Sequence, residues 1–194
     1  NRFVYVASLG GDCVHQYALD AAQGILAPAE STVIPMTGGA GPRHLVFNAD
    51  GTRMYLLNEL DGGLDVLACD PSTGDVQPLQ RVSVMPDGAA GEPWAAELRL
   101  SADGRWLLAT ERRTSTLTAW AVDAQGRLAL RDRQPVEGQP RGMQVSPDGR
   151  HVLVAGQSSH HVGCLAIDPA SGALTARDRV AVGLNPNWIE FLRL

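Results

Sequence analysis

Short apolar runs alternate with breaks rich in Gly, Pro and Asp along the whole chain, and no segment carries a sustained helical apolar period. Asp50-Gly51, Asp103-Gly104 and Asp148-Gly149 each stand between two such runs. Asp-Gly in that setting predicts a hairpin, because Gly tolerates the positive φ the turn needs. These Asp residues are 53 and 45 positions apart, and a further Asp follows each by 20 positions (Asp70, Asp123, Asp168), opening a second turn segment. Two markers keeping the same phase define a repeat. Each unit predicts four strands: 44–49, 53–58, 64–69 and 77–84, then 97–101, 105–110, 116–122 and 127–134, then 142–146, 150–156, 161–167 and 173–181. Alternation is plain in Leu64-Asp65-Val66 and in Leu117-Thr118-Ala119-Trp120. Four antiparallel strands in about 45–50 residues is the spacing of a β-propeller blade. The Gly-His and Trp-Asp signature of WD40 units is absent.

The ends keep the phase. Residues 1–34 match the second, third and fourth strands of a unit, and residues 185–194 match a first strand. The expected class is therefore all-β, about four blades at 1–34 plus 185–194, 41–84, 94–134 and 139–181. The split blade closes a four-membered ring if its two parts pair. Otherwise the chain is an arc of a larger propeller, which is the preferred expectation.

Composition narrows the function. The chain has 194 residues, 44% hydrophobic and 19% charged, which suits one globular unit. Its net charge of −5 argues against a nucleic-acid face. No run approaches the length of a membrane-spanning segment. The first residues, Asn1-Arg2-Phe3-Val4-Tyr5-Val6, read as a strand and not as a leader peptide. Cys13, Cys69 and Cys164 are scattered and suit buried reduced thiols, so a cytoplasmic setting is expected. A monomer or weak homodimer is expected.

The chemistry concentrates in residues 37–59. A blade's first strand lies nearest the axis, so its start faces the channel mouth. The repeat places Arg43, Ala96, Arg141 and Asn187 at equivalent starts, and Leu9, Glu59, Arg112 and Gln157 at equivalent ends of second strands. Converging arginines suit an anion, since the guanidinium fork binds carboxylate or phosphate. His44 adjoins Arg43. Ser159-His160-His161 opens a third strand, where adjacent histidines point to opposite faces. They make poor joint metal ligands, so His160 is assigned to the rim as a substrate contact and no metal is expected. No cofactor is expected either, for the chain has no nucleophile-elbow serine and no phosphate-cradling Gly loop before a helix.

Gly39-Ala40-Gly41-Pro42-Arg43-His44, Asn58-Glu59-Leu60, Gln139-Pro140-Arg141-Gly142, Ala155-Gly156-Gln157-Ser158-Ser159-His160-His161 and the closing Ala181-Val182-Gly183 through Trp188 resemble the lactonase/cycloisomerase-2 family. That family includes the seven-bladed 6-phosphogluconolactonases and the carboxymuconate lactonizing enzymes. The resemblance covers nearly the whole chain and implies the C-terminal part of a seven-bladed propeller. It implies an Arg-lined site for a small anionic sugar lactone, hydrolysed without a metal. In the family's cyclase branch a His, a Glu and two Arg are assigned to catalysis. The first Arg matches Arg43, the Glu matches Glu59 and the second Arg matches Arg112. The His lies upstream of the first Arg, in a blade this chain is expected to lack, and His44 is not that residue. Glu59 is then the implied general base, with Arg141, His44, Gln157 and His160 as substrate contacts. The implied alternatives are a muconate-type cycloisomerase and a binding propeller without catalysis.

Overall fold

A computed structural model describes residues 2–192, apart from the side chains of residues 30–32. Fifteen strands and no helix occur among them. β1 (Phe3–Ser8), β2 (Cys13–Asp20) and β3 (Ile25–Pro35) form a three-stranded antiparallel sheet. Three four-stranded sheets follow. The first holds β4 (Pro42–Phe47), β5 (Arg53–Asn58), β6 (Gly63–Cys69) and β7 (Val76–Ser83). The second holds β8 (Ala95–Leu100), β9 (Trp106–Glu111), β10 (Thr116–Val122) and β11 (Leu128–Pro135). The third holds β12 (Pro140–Val145), β13 (His151–Gly156), β14 (His161–Ile167) and β15 (Leu174–Ala181).

The repeat markers are the turns. Gly51, Gly104 and Gly149 take φ of 73°, 71° and 71° between the first and second strands of each sheet. Asp70 and Asp168 Oδ1 accept backbone N–H groups two and three residues on, which closes the turns between third and fourth strands. Those local bonds make the markers recur in the sequence.

The sheets are blades because each second and third strand is apolar on both faces. On β9, Leu107 and Ala109 pack with Tyr55, Leu57 and Val66 of the preceding sheet. Trp106 and Leu108, pointing the other way, pack with Val152, Val154 and Ile167 of the following one. Period-two alternation thus divides one strand between two cores. Stacking leaves the first strands, β4, β8 and β12, side by side around a common axis.

One expectation is corrected. The C-terminal residues do not complete the β1–β3 sheet, which has three strands in the order β1-β2-β3. The segment lies beside β12 instead. The Asn187 carbonyl occupies the place where a Cβ on Gly142 would stand, and Gln144 Nε2 lies 3.3 Å from Glu190 Oε1. Trp188 lies against Arg99 of β8. A four-membered ring is therefore not formed. The expected first strand at 185–194 is not formed over the described residues 185–192, which make no sheet pairing, and residues 193–194 lie outside the described residues.

Candidate active site

The three first strands carry the same irregularity. Register slips between Pro42 and His44 on β4, between Ala95 and Leu98 on β8, and between Pro140 and Gly142 on β12. The residues without a direct partner include Arg43, Ala96 and Arg141, the repeat-equivalent set. A bulge adds a residue and re-aims its side chain. Here Arg43 and Arg141 each stand at such a bulge, and Ala96 stands at the third.

Glu59, just beyond β5, joins two of the arginines. Its Oε2 lies 2.9 Å from Arg43 Nε and its Oε1 lies 2.9 Å from Arg112 Nη2. Trp94 Nε1 also donates to Oε1, at 3.0 Å. Arg112 is held further: its Nε donates to the Trp94 carbonyl, its Nη2 to the Ala95 carbonyl, and its guanidinium lies over the Trp94 ring. Arg43 Nη1 donates to the Ala96 carbonyl. The bulge on β8 therefore supplies backbone acceptors that fix both cations.

Charge is unbalanced. Burial lowers the pKa of Arg43, opposed by Glu59 and Glu97, while the Arg141 charge pushes it further down. Burial likewise lowers Arg112, with Glu59 opposing and both Arg43 and Arg141 reinforcing. Three guanidiniums thus feel one another around a single shared carboxylate. Arg141 makes no ion pair or side-chain hydrogen bond among the described residues. Its charge has no counter-ion among the described residues.

His44 sits on the other side of Arg43. Its Nδ1 lies 2.7 Å from Glu97 Oε1, and Arg99 Nη1 approaches the same oxygen at 2.9 Å. Glu97 is buried, whereas His44 is 32% exposed. Arg43 Nη1 lies 2.9 Å from His44 Nε2.

The structure thus gathers Arg43, His44, Glu59 and Arg112, with Arg141 close by. Gln157 and His160 stand apart. The Gln157 backbone N–H donates to the Gln139 carbonyl, and His160 Nδ1 accepts from the Asn185 backbone N–H. Neither side chain hydrogen-bonds to the arginine cluster among the described residues, and His160 ties the C-terminal segment down. The Gly-rich approach serves a side chain: the N–H groups of Gly39 and Gly41 donate to the Asp12 carboxylate.

Trp94, Glu97 and Arg99 were missed by reading residue types alone. The repeat held a signal for Glu97, which lies 53 positions after His44, the offset that relates Asp50 to Asp103. The two residues hold the same place in neighbouring blades, so their side chains meet.

An all-β fan of blades with a cationic, carboxylate-braced cluster at its first strands is a β-propeller. Residues 1–191 match the family described as lactonase, 7-bladed beta-propeller, and the chain belongs to that family. It is 38% identical to a 6-phosphogluconolactonase of Sodalis glossinidius over 99% of this chain and 58% of the relative. It is 37% identical to one of Serratia proteamaculans over 99% and 58%. It also superimposes on a periplasmic gluconolactonase of Pseudomonas aeruginosa with a TM-score of 0.89 at 38% identity, covering 96% of this chain and 52% of that one. The chain therefore spans less than two thirds of the length of these relatives.

Proposed function

We propose that the chain is part of one seven-bladed propeller domain that hydrolyses a sugar lactone, most simply 6-phosphoglucono-δ-lactone to 6-phosphogluconate. The observation that carries this reading is Arg43 and Arg112 sharing the Glu59 carboxylate, with the Arg141 charge felt by both. Arg141 holds the substrate's anionic group. Arg43 and Arg112 stabilise the oxyanion that develops on the lactone carbonyl as water adds, the place where fixed charge lowers a barrier most. No metal is required by this scheme. Glu59 keeps the two guanidiniums in register, because its oxygens already accept from three donors, Arg43 Nε, Arg112 Nη2 and Trp94 Nε1. In this reading His44 is within reach of a substrate held at Arg43, and Gln157 and His160 act as substrate contacts at the rim. The relatives named 6-phosphogluconolactonase support the substrate class. Free Cys13, Cys69 and Cys164 support a reducing, cytoplasmic setting, to be checked by cell fractionation.

The test is hydrolysis of freshly prepared lactone above its spontaneous rate by the complete seven-bladed protein, the parent, beside its Arg43→Ala and Glu59→Gln variants. Turnover by the parent and its loss in both variants is the expected result. Binding of 6-phosphogluconate without turnover by the parent sinks the hydrolase reading and leaves a binding propeller.

A further inference from the structure

Hydrolysis moves two protons: one leaves the attacking water, and one must reach the ring oxygen as the lactone opens. We infer that His44, oriented by buried Glu97, is the group that moves both, an inference that rests on the lactonase reading above. Glu59, the base expected from the resemblance, is placed differently by its contacts. Three donors already occupy its oxygens, and a guanidinium lies on either side.

His44 is the more open group, its side chain 32% exposed against 16% for Glu59. Its Nδ1 faces the Glu97 carboxylate at 2.7 Å. A carboxylate only accepts, so Nδ1 carries the proton and Nε2 carries the lone pair. Glu97 is 1% exposed and also accepts from Arg99 Nη1 and the Leu98 N–H, so it is fixed on the far side of the ring. The pair reproduces the orienting half of a catalytic triad, in which a buried carboxylate sets the imidazole tautomer and stabilises the imidazolium that forms. Arg43 Nη1 lies 2.9 Å from Nε2 and 3.2 Å from Nδ1, so the guanidinium assigned to the oxyanion lies against the imidazole ring. A substrate oxygen seated on Arg43 therefore arrives beside Nε2.

The step balances without a further reactant. Nε2 takes a proton from water as its oxygen bonds to the lactone carbonyl carbon. The carbonyl π pair moves onto the oxygen facing the arginines. When that oxyanion collapses, the bond between the carbonyl carbon and the ring oxygen breaks, and the ring oxygen keeps the pair and takes the proton back from Nε2. The new carboxylic acid then releases its own proton to solvent. His44 is the catalytic residue here and Glu97 a positioning residue.

The experiment compares the parent with His44→Gln, His44→Ala, Glu97→Gln and Glu59→Gln on fresh lactone, with folding of each checked by thermal unfolding. His44→Gln is expected to lower kcat by about 10²–10⁴-fold, the usual contribution of acid–base catalysis, with KM nearly unchanged. Glu97→Gln is expected to lower kcat at least about tenfold, also without raising KM. Added imidazole is expected to restore part of the turnover of His44→Ala and none of that of Glu59→Gln. Parent turnover matched within about threefold by a folded His44→Gln overturns the inference and leaves the lactonase reading standing. A folded His44→Ala that is inactive and gains nothing from imidazole overturns it as well. Absence of turnover by the parent overturns both.

Discussion

The guanidinium carbon of Arg112 lies 3.9 Å from the centre of the Trp94 ring, and the Trp94 N–H reaches the same Glu59 oxygen that receives Arg112. One aromatic residue thus holds both members of an ion pair. The Arg112 side chain is 1% exposed, so its charge has no water to fall back on. Arg112→Ala leaves Glu59 short of a partner and strips donors from the Trp94 and Ala95 carbonyls. A loss of about 3–5 kcal/mol is expected, the range for breaking a buried pair from one side. Trp94→Phe keeps a ring under the guanidinium and removes only the N–H, for a loss of about 1 kcal/mol. Urea unfolding reads both as shifts in midpoint at constant slope. Equal losses for the two variants would show that the Trp94 N–H, and not the Arg112 charge, is the chief support of Glu59.

Arg141 is the contrasting case. It braces nothing among the described residues, so Arg141→Ala leaves stability within about 0.5 kcal/mol of the parent. Its loss removes a charged contact to the substrate, and KM for an anionic lactone is expected to rise about 10–100-fold while kcat changes little. The parent's KM should climb with added salt more steeply than the variant's. A fall in kcat at unchanged KM would move Arg141 from holding the anion to stabilising the transition state.

Asp12 governs acid stability at the approach to the site. Hydrogen bonds from the Gly41 and then the Gly39 backbone N–H lower its pKa. A group depressed in the folded state adds stability above its unfolded pKa, about 3.9, and that stability is lost as pH falls through the lower folded value. Asp12→Asn lacks this contribution at every pH. The gap in thermal midpoint between parent and variant, present at pH 7, is expected to close below about pH 4. A gap that stays constant would assign the effect to shape and not to charge.

Tyr55 governs the alkaline side. Burial pushes its pKa up to about 12, and its hydroxyl donates to the Gly126 carbonyl across a blade boundary. Here the neutral form belongs to the folded state. Its contribution is whole below about pH 10 and disappears as pH rises toward 12. Tyr55→Phe costs about 1 kcal/mol near neutrality through the lost hydrogen bond. That deficit should shrink or reverse between pH 10 and 12, measured by denaturant unfolding across the range. Parallel curves for the two proteins would contradict the assignment.

The fold was legible because its signals are local. The strands predicted at 53–58, 116–122 and 161–167 coincide with β5, β10 and β14 as read from their alternation. The first strands begin about two residues earlier than predicted, at Pro42, Ala95 and Pro140, since they continue through a bulge that breaks period two. Arg43, Glu59 and Arg112 were found by repeat phase. Trp94 was not, because its contacts run to Arg112 and Glu59, and a residue's place in a repeat does not say which neighbouring blade its side chain will reach. His160 shows the same limit: the bond from the Asn185 backbone N–H to its Nδ1 spans 25 positions, and no local pattern announces it.

The sequence by itself determined the order of strands in the three complete blades, the turn positions and the phase that makes each unit a blade, since Asp-Gly turns and apolar alternation act over a few residues. It also determined which side chains share a level of the propeller. Tertiary structure alone decided who pairs with whom: that Glu59 is shared by Arg43 and Arg112, that Glu97 backs His44, and that the C-terminal segment lies beside β12 and not on β1. Those outcomes depend on how far each blade is turned against the next and on bulges that re-aim single side chains. Both follow from packing between blades, which no local pattern in the chain records.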